Sequence, residues 1–121
     1  MAYTNIWKTN GLHRKFTGAI TGDEFLESNF ELHANPKYHK IDYVIDDFTD
    51  ITSCAIDRSH LEVIAKTNDI IAMTKGTLKI ALAVVGDEAI ALAHSYKKIT
   101  ENSRFQCEVF LSLNEALDWV K

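Results

Sequence analysis

Between Asp42 and Ser59 the chain gathers carboxylates and hydroxyls: Asp42, Asp46, Asp47 and Asp50 stand with Thr49, Thr52, Ser53 and Ser59. Carboxylates gathered at the carboxyl end of a strand can hold Mg²⁺, and such ends line the usual ligand crevice of parallel sheets. The ordinary alternative is a solvated acidic loop whose short side chains make turns, and it is the expectation here, with no metal. The hydroxyls point to different chemistry. A helix N-terminus stabilises negative charge, including a phosphate carried on a serine. Thr49, Asp50, Thr52, Ser53 and Ser59 therefore form a candidate phospho-acceptor or partner-binding loop. The plainer reading makes Ser59 a helix cap and the others turn residues.

The remaining reactive side chains are dispersed. His13, His33, His39, His60 and His94 show no i, i+4 pair, and none stands near a cysteine at ligand spacing. A zinc site needs three or four converging ligands, so none is expected, and His33 and His39 are placed on the surface. Cys54 and Cys107 form no C-x-x-C pair and read as reduced thiols. A nucleophilic serine wants a glycine-rich elbow, but Ser53 is followed by Cys54 and Ala55. Neither G-x-G-x-x-G nor G-x-x-x-x-G-K-[ST] occurs, which leaves dinucleotide and P-loop phosphate sites unsupported. The expectation is a protein that is not an enzyme and uses no cofactor. Asp46 would be the centre of any unrecognised carboxylate site.

These residues need elements to position them. Ile6–Thr9 reads as a strand, and Asn10-Gly11 as a hairpin turn, because both residues tolerate positive φ. Leu12–Thr17 is the return strand, lying toward an edge, and Gly18–Gly22 is a loop. Thr21-Gly-Asp-Glu24 has capping-box spacing and opens a helix with Phe25, Leu26, Phe30 and Leu32 inward. Asn35-Pro36 ends it, Asn35 by accepting a left-handed turn. Ile41–Ile45 is a strand, with the acidic loop Asp46–Ser53 after it. Ser59-His-Leu-Glu62 is a second capping box, with Asp57 as a competing cap. Its helix carries Leu61, Ile64, Ala65, Ile71 and Ala72 and stops at Gly76. Leu78–Val85 is almost wholly apolar, as in a parallel strand covered on both faces. A helix follows Gly86-Asp87, with Ala89, Ala91 and Ala93 allowing close approach to the sheet. Phe105–Phe110 is the last strand. Ser112-Leu-Asn-Glu115 caps a terminal helix bearing Ala116, Leu117, Trp119 and Val120.

The order is β-β-α-β-α-β-α-β-α. It predicts an α/β fold with a mostly parallel sheet, an antiparallel edge hairpin and flanking helices. The 121 residues are read as a single domain, 1–121. With 46% apolar and 25% charged residues, a packed core is expected. The net charge is −4 and the basic residues are scattered, which argues against nucleic acid as partner. The stretch Met1-Ala2-Tyr3-Thr4-Asn5 has no basic-then-apolar leader pattern. Ile80–Val85, the longest apolar run, is too short to span a bilayer. A cytoplasmic location is the expectation.

The order of elements resembles the SpoIIAA-like family, related to the STAS domains of anti-sigma factor antagonists. Tyr43-Val44-Ile45-Asp46 enters a hydroxyl-bearing segment before a helix, and the chain ends Val109-Phe110-Leu111-Ser112-Leu113-Asn114-Glu115-Ala116-Leu117-Asp118-Trp119-Val120, like that family's strand-to-terminal-helix pattern. The resemblance implies a non-catalytic regulatory or protein-interaction module with a regulatory protein as partner. In the STAS antagonists a phosphorylatable serine sits in an Asp-Ser-x-Gly motif. Ser53 is the nearest position, but the segment Thr52–His60 has no glycine. The alternative is a carrier of a small apolar or lipid-like ligand with peripheral membrane contact, by analogy with lipid-carrying domains of similar fold. Ile64, Ile70, Ile71 and Met73 are its candidate apolar surface, Met suiting an adaptable pocket. A homodimer through the edge hairpin is a further expectation, with Arg14 and Lys15 guarding that edge.

Overall fold

The chain reverses at Asn10 and Gly11 as expected, but neither residue takes the positive φ on which that expectation rested. β1 (Tyr3–Trp7) pairs antiparallel with β2 (Gly11–Thr21), and Lys8 N donates to Gly11 O at 2.8 Å. The computed structural model describes residues 3–121; Met1 and Ala2, the first two residues of the stretch read for a leader, lie outside the described residues. Gly11 also serves a packing need. A Cβ there would lie 2.0 Å from Tyr43 Cζ, so the tyrosine ring rests directly on the glycine backbone.

The remaining elements are α1 (Gly22–Ala34), β3 (Tyr43–Ala55), α2 (Arg58–Lys75), β4 (Leu78–Ala83), α3 (Asp87–Ile99), β5 (Phe105–Phe110) and α4 (Leu113–Val120). A 3₁₀ turn over Pro36–Lys40 joins α1 to β3. The sheet order is β1-β2-β3-β4-β5, parallel from β2 to β5. Each crossover steps one strand in the same direction. Right-handed crossovers of that kind place α1, α2 and α3 on one face. The larger core lies there, with Leu12, Phe16, Val44, Ile80 and Leu82 of the sheet against Phe25, Ile64 and Tyr96 of the helices. α4 covers the other face, where Ile45, Ala81 and Ala83 meet Ala116 and Val120. The expected element order and mostly parallel sheet are both present.

Several local expectations need correction. β2 reaches Thr21 without the loop expected at Gly18–Gly22, and it is an inner strand. The edge is β1. Arg14 does not guard it, being 1% exposed and directed into the helical face. In α1 Phe30 is 49% exposed, while Ser28 and Asn29 occupy the buried stripe because they bind Arg14. Asn35 has φ −82°, not a left-handed value; its side chain instead accepts from Lys37 N at 2.9 Å and starts the 3₁₀ turn. His33, expected on the surface, is partly covered, and its Nδ1 is buried without a hydrogen-bond partner among the described residues. Thr21 and Ser112 do cap α1 and α4. Ser59 does not cap α2. Asp57 holds that place, accepting from His60 N at 3.2 Å while its own N donates to His60 Nδ1 at 3.1 Å.

The largest correction concerns residues 46–53. They are strand, not loop. Phe48, Thr49, Ile51 and Thr52 are β-formers, and every carboxylate in the segment has a cationic or hydrogen-bonding partner. Two register shifts between β2 and β3 absorb extra residues of β3.

Candidate functional site

β3 pairs with β4 only from Tyr43↔Lys79 to Asp47↔Ala83. Beyond Asp47 it remains paired with β2 as far as Ala55. The two strands therefore part at their carboxyl ends, and the gap lies on the helical face. It is lined by Ile51, Cys54 and Ile56 of the departing β3, Leu82 and Val84 of β4, Leu61 of α2, and Ala89, Leu92 and Ala93 of α3, with Phe25, Phe48 and Tyr96 at the floor. The small alanines of α3 leave the space that a larger side chain would close. The free volume is about 30 Å³, room for about two water-sized groups. Only carbon and sulfur side-chain surface faces it, so water there would have no hydrogen-bond partner and an apolar guest would be favoured. Ile51, Cys54 and Leu92 keep some exposure and mark its mouth. This position, outside the carboxyl ends of parallel strands, is where open α/β sheets bind ligands.

The floor borders a buried polar cluster. Arg14 Nε donates to Asp46 Oδ1 at 2.7 Å, Nη1 to Ser28 Oγ at 3.2 Å and Nη2 to Asn29 Oδ1 at 3.4 Å. Asn68 Nδ2 donates to the Tyr96 hydroxyl at 2.6 Å. Burial pushes the Tyr96 hydroxyl well above its usual range, so it stays neutral. His33 belongs to the same region, and burial, with the Arg14 charge second, pulls its imidazole down to about 4.

The four aspartates do not converge. Asp42 is exposed. Asp46 pairs with Arg14 on the helical face, and Asp47 with His13 on the α4 face. Asp50 pairs with Lys15 at 2.8 Å near the surface. Among the described residues no group of three or more His, Cys, Asp or Glu side chains is arranged to hold a metal ion.

The proposed partner loop is likewise distributed. Thr49, Asp50, Thr52 and Ser53 lie along β3, and Thr52 and Ser53 are exposed. Ser59 is the second residue of α2 and donates to Asp57 Oδ1 at 2.5 Å. The four residues expected to form an apolar surface divide between two faces of α2. Ile64 is 1% exposed and Ile71 partly buried, whereas Ile70 and Met73 are 67% and 76% exposed. The apolar cleft lies elsewhere, and residue types alone do not announce it. It exists because β3 outruns β4, and the one sequence signal for it is the pair Ala89 and Ala93 one helical turn apart.

Cys54 and Cys107 are both free. Burial raises both thiols, Cys107 to about 12 with the Asp46 charge adding to it. Neither thiolate is populated near neutral pH. Among the described residues no helix is long and apolar enough to cross a membrane.

No family model and no curated protein matches the chain. A solved structure does: an uncharacterised protein of the DUF3478 family from Shewanella loihica PV-4, described as having a SpoIIAA-like fold. It is 15% identical, covers 99% of this chain and 93% of that chain, and superposes with a TM-score of 0.57. The SpoIIAA-like fold read from the order of elements is thus the fold of this chain, and the likeness carries no function with it.

Proposed function

We propose that this protein binds a small apolar molecule, or the apolar end of a longer one, in the cleft where β3 and β4 part. The observation that carries the reading is the lining, apolar throughout and open to solvent only past Ile51, Cys54 and Leu92. Nothing in the cleft pairs a nucleophile with a base, which favours binding over catalysis. Native mass spectrometry of the full chain, gently purified from its expressing cells, tests this. A mass excess lost on denaturation, and absent from an Ala93→Leu variant that fills the cleft, is the expected result. Equal masses for native and denatured protein, together with no uptake of added alkanols, would remove the reading.

One observation favours a second reading, an interaction module. On α2 the residues Val63, Ile70 and Met73 are 44%, 67% and 76% exposed, and they share the side turned away from the sheet. Exposed apolar side chains gathered on one face of a helix favour contact with a partner protein or a lipid surface when they form a contiguous patch. Replacing Ile70 and Met73 with Ser leaves the fold intact under this reading and abolishes the contact. Unchanged partner capture and unchanged liposome binding in that variant would count against it.

A further inference from the structure

A second site lies across the sheet from the cleft and does not depend on it. Asp47 is on the α4 face and 2% exposed. Its Oδ1 accepts from Thr49 Oγ1 at 2.6 Å and from Thr49 N at 3.0 Å, and its Oδ2 faces His13 Nε2 at 2.9 Å. An ionised carboxylate can only accept. The proton between the two groups therefore sits on Nε2, and in the neutral ring Nδ1 carries the lone pair. Nδ1 has no hydrogen-bond partner among the described residues, and it is not among the buried unpartnered atoms; the ring is 14% exposed.

An imidazole fixed in this way can serve as a metal ligand, a base for a nucleophile, or a nucleophile itself. The first needs further ligands, and among the described residues there is no such group. The second needs a hydroxyl or thiol on the ring, and among the described residues none hydrogen-bonds to it. The third needs only what is present. We propose that His13 Nδ1 is a phosphoryl-acceptor nitrogen.

In the transfer, the Nδ1 lone pair attacks the phosphorus of a phosphoramidate or phosphoanhydride donor. The N–P bond forms as the donor's P–N or P–O bond breaks, and the leaving group departs with that electron pair. The Nε2 proton stays on the ring, where the Asp47 carboxylate balances the positive charge that develops during attack. Thr49 fixes the carboxylate, and hence the ring. Lys15 follows on the same face of β2, paired with Asp50.

The test uses the full-length protein and phosphoramidate, a small donor that needs no kinase, with intact-mass and peptide-level mass spectrometry. His39 and His94, both exposed, are the internal references. A carboxylate bonded to one ring nitrogen raises the basicity of the other, an effect of about tenfold or more where such a histidine serves as a metal ligand, and His13 is expected to gain the acid-labile phosphoryl group about tenfold faster than either reference. His13→Gln removes that fast phase. Asp47→Asn, or Thr49→Val where the first variant does not fold, brings His13 down to the reference rate. A His13 rate no greater than that of His39 and His94 overturns the proposal, as does a fast phase that survives in a folded Asp47→Asn or Thr49→Val variant.

Discussion

Arg14 donates from Nε to Asp46 Oδ1 across 2.7 Å, with the two side chains 1% and 5% exposed. Their neighbours in the chain, His13 and Asp47, make the corresponding contact on the opposite face of the same two strands. β2 and β3 are thus joined by an ion pair inside the helical core and by a histidine–carboxylate hydrogen bond under the α4 side. The guanidinium also stands 5.3 Å from the Phe16 ring centre and 5.9 Å from that of Phe25. The pair is therefore walled off by aromatic rings close to the floor of the cleft.

Breaking the inner pair should be costly. Arg14→Met or Asp46→Ala alone leaves a buried charge without its partner, and either should lower stability by about 3–5 kcal/mol. The double variant Arg14→Met, Asp46→Leu should recover most of that loss, because no charge remains buried. Urea unfolding of the three variants measures both effects. A double variant as unstable as the sum of the singles would contradict the assignment.

Asp47 should link stability to acid pH. Burial alone pushes its carboxyl up, but the Thr49 hydroxyl and backbone N–H and the His13 ring together outweigh it and hold the carboxyl below the usual range. A carboxyl lower in the folded state stabilises the fold above its unfolded value, and that stability is lost as pH falls through the folded value. Thr49→Val removes one donor from a buried charge and should cost about 1.5–3 kcal/mol at neutral pH. It should also move acid unfolding to higher pH. Circular dichroism followed against pH reads both changes.

His33 should act with the same sign in a different window. Its imidazole is held down to about 4 from the ordinary 6.5, chiefly by burial and then by the Arg14 charge. Between those values the unfolded chain takes up a proton that the folded chain refuses, so stability falls as pH drops from 6.5 toward 4 and levels off below. His33→Gln should flatten the stability profile in that interval and leave it unchanged above pH 7. An unaltered slope would show that His33 titrates alike in both states.

The element order, and with it the fold, was legible because hydrophobic runs and caps agree from one end of the chain to the other. Thr21 and Ser112 cap the helices their spacing predicts, and Leu78–Ala83, apolar but for Lys79, is an inner parallel strand. Residues 46–53 misled because polar composition reads as loop. Arg14, His13 and Lys15 lie far from them in sequence, yet they partner Asp46, Asp47 and Asp50 across the strand pair. Asp57 and Ser59 both satisfied the capping pattern, and the backbone N–H of His60 decided between them. The cleft was not legible, since it follows from the difference in length between β3 and β4.

The packing of Gly11 beneath Tyr43 gives a test of the opposite face. Gly11→Ala places a methyl group inside the Tyr43 ring position and should cost about 1–3 kcal/mol, as overpacking does. Tyr43→Ser in the same chain should remove most of the penalty attributable to the clash. Thermal melts of the two single variants and the double variant measure the coupling.

The cleft itself is tested most directly with xenon, a small apolar probe. Methyl NMR spectra of the labelled protein would be recorded under rising xenon pressure. The account predicts saturable shifts at Leu61, Leu82, Val84 and Leu92, and their loss in Ala93→Leu. Shifts confined to exposed Ile70 and Met73, or none at the cleft methyls, would contradict it.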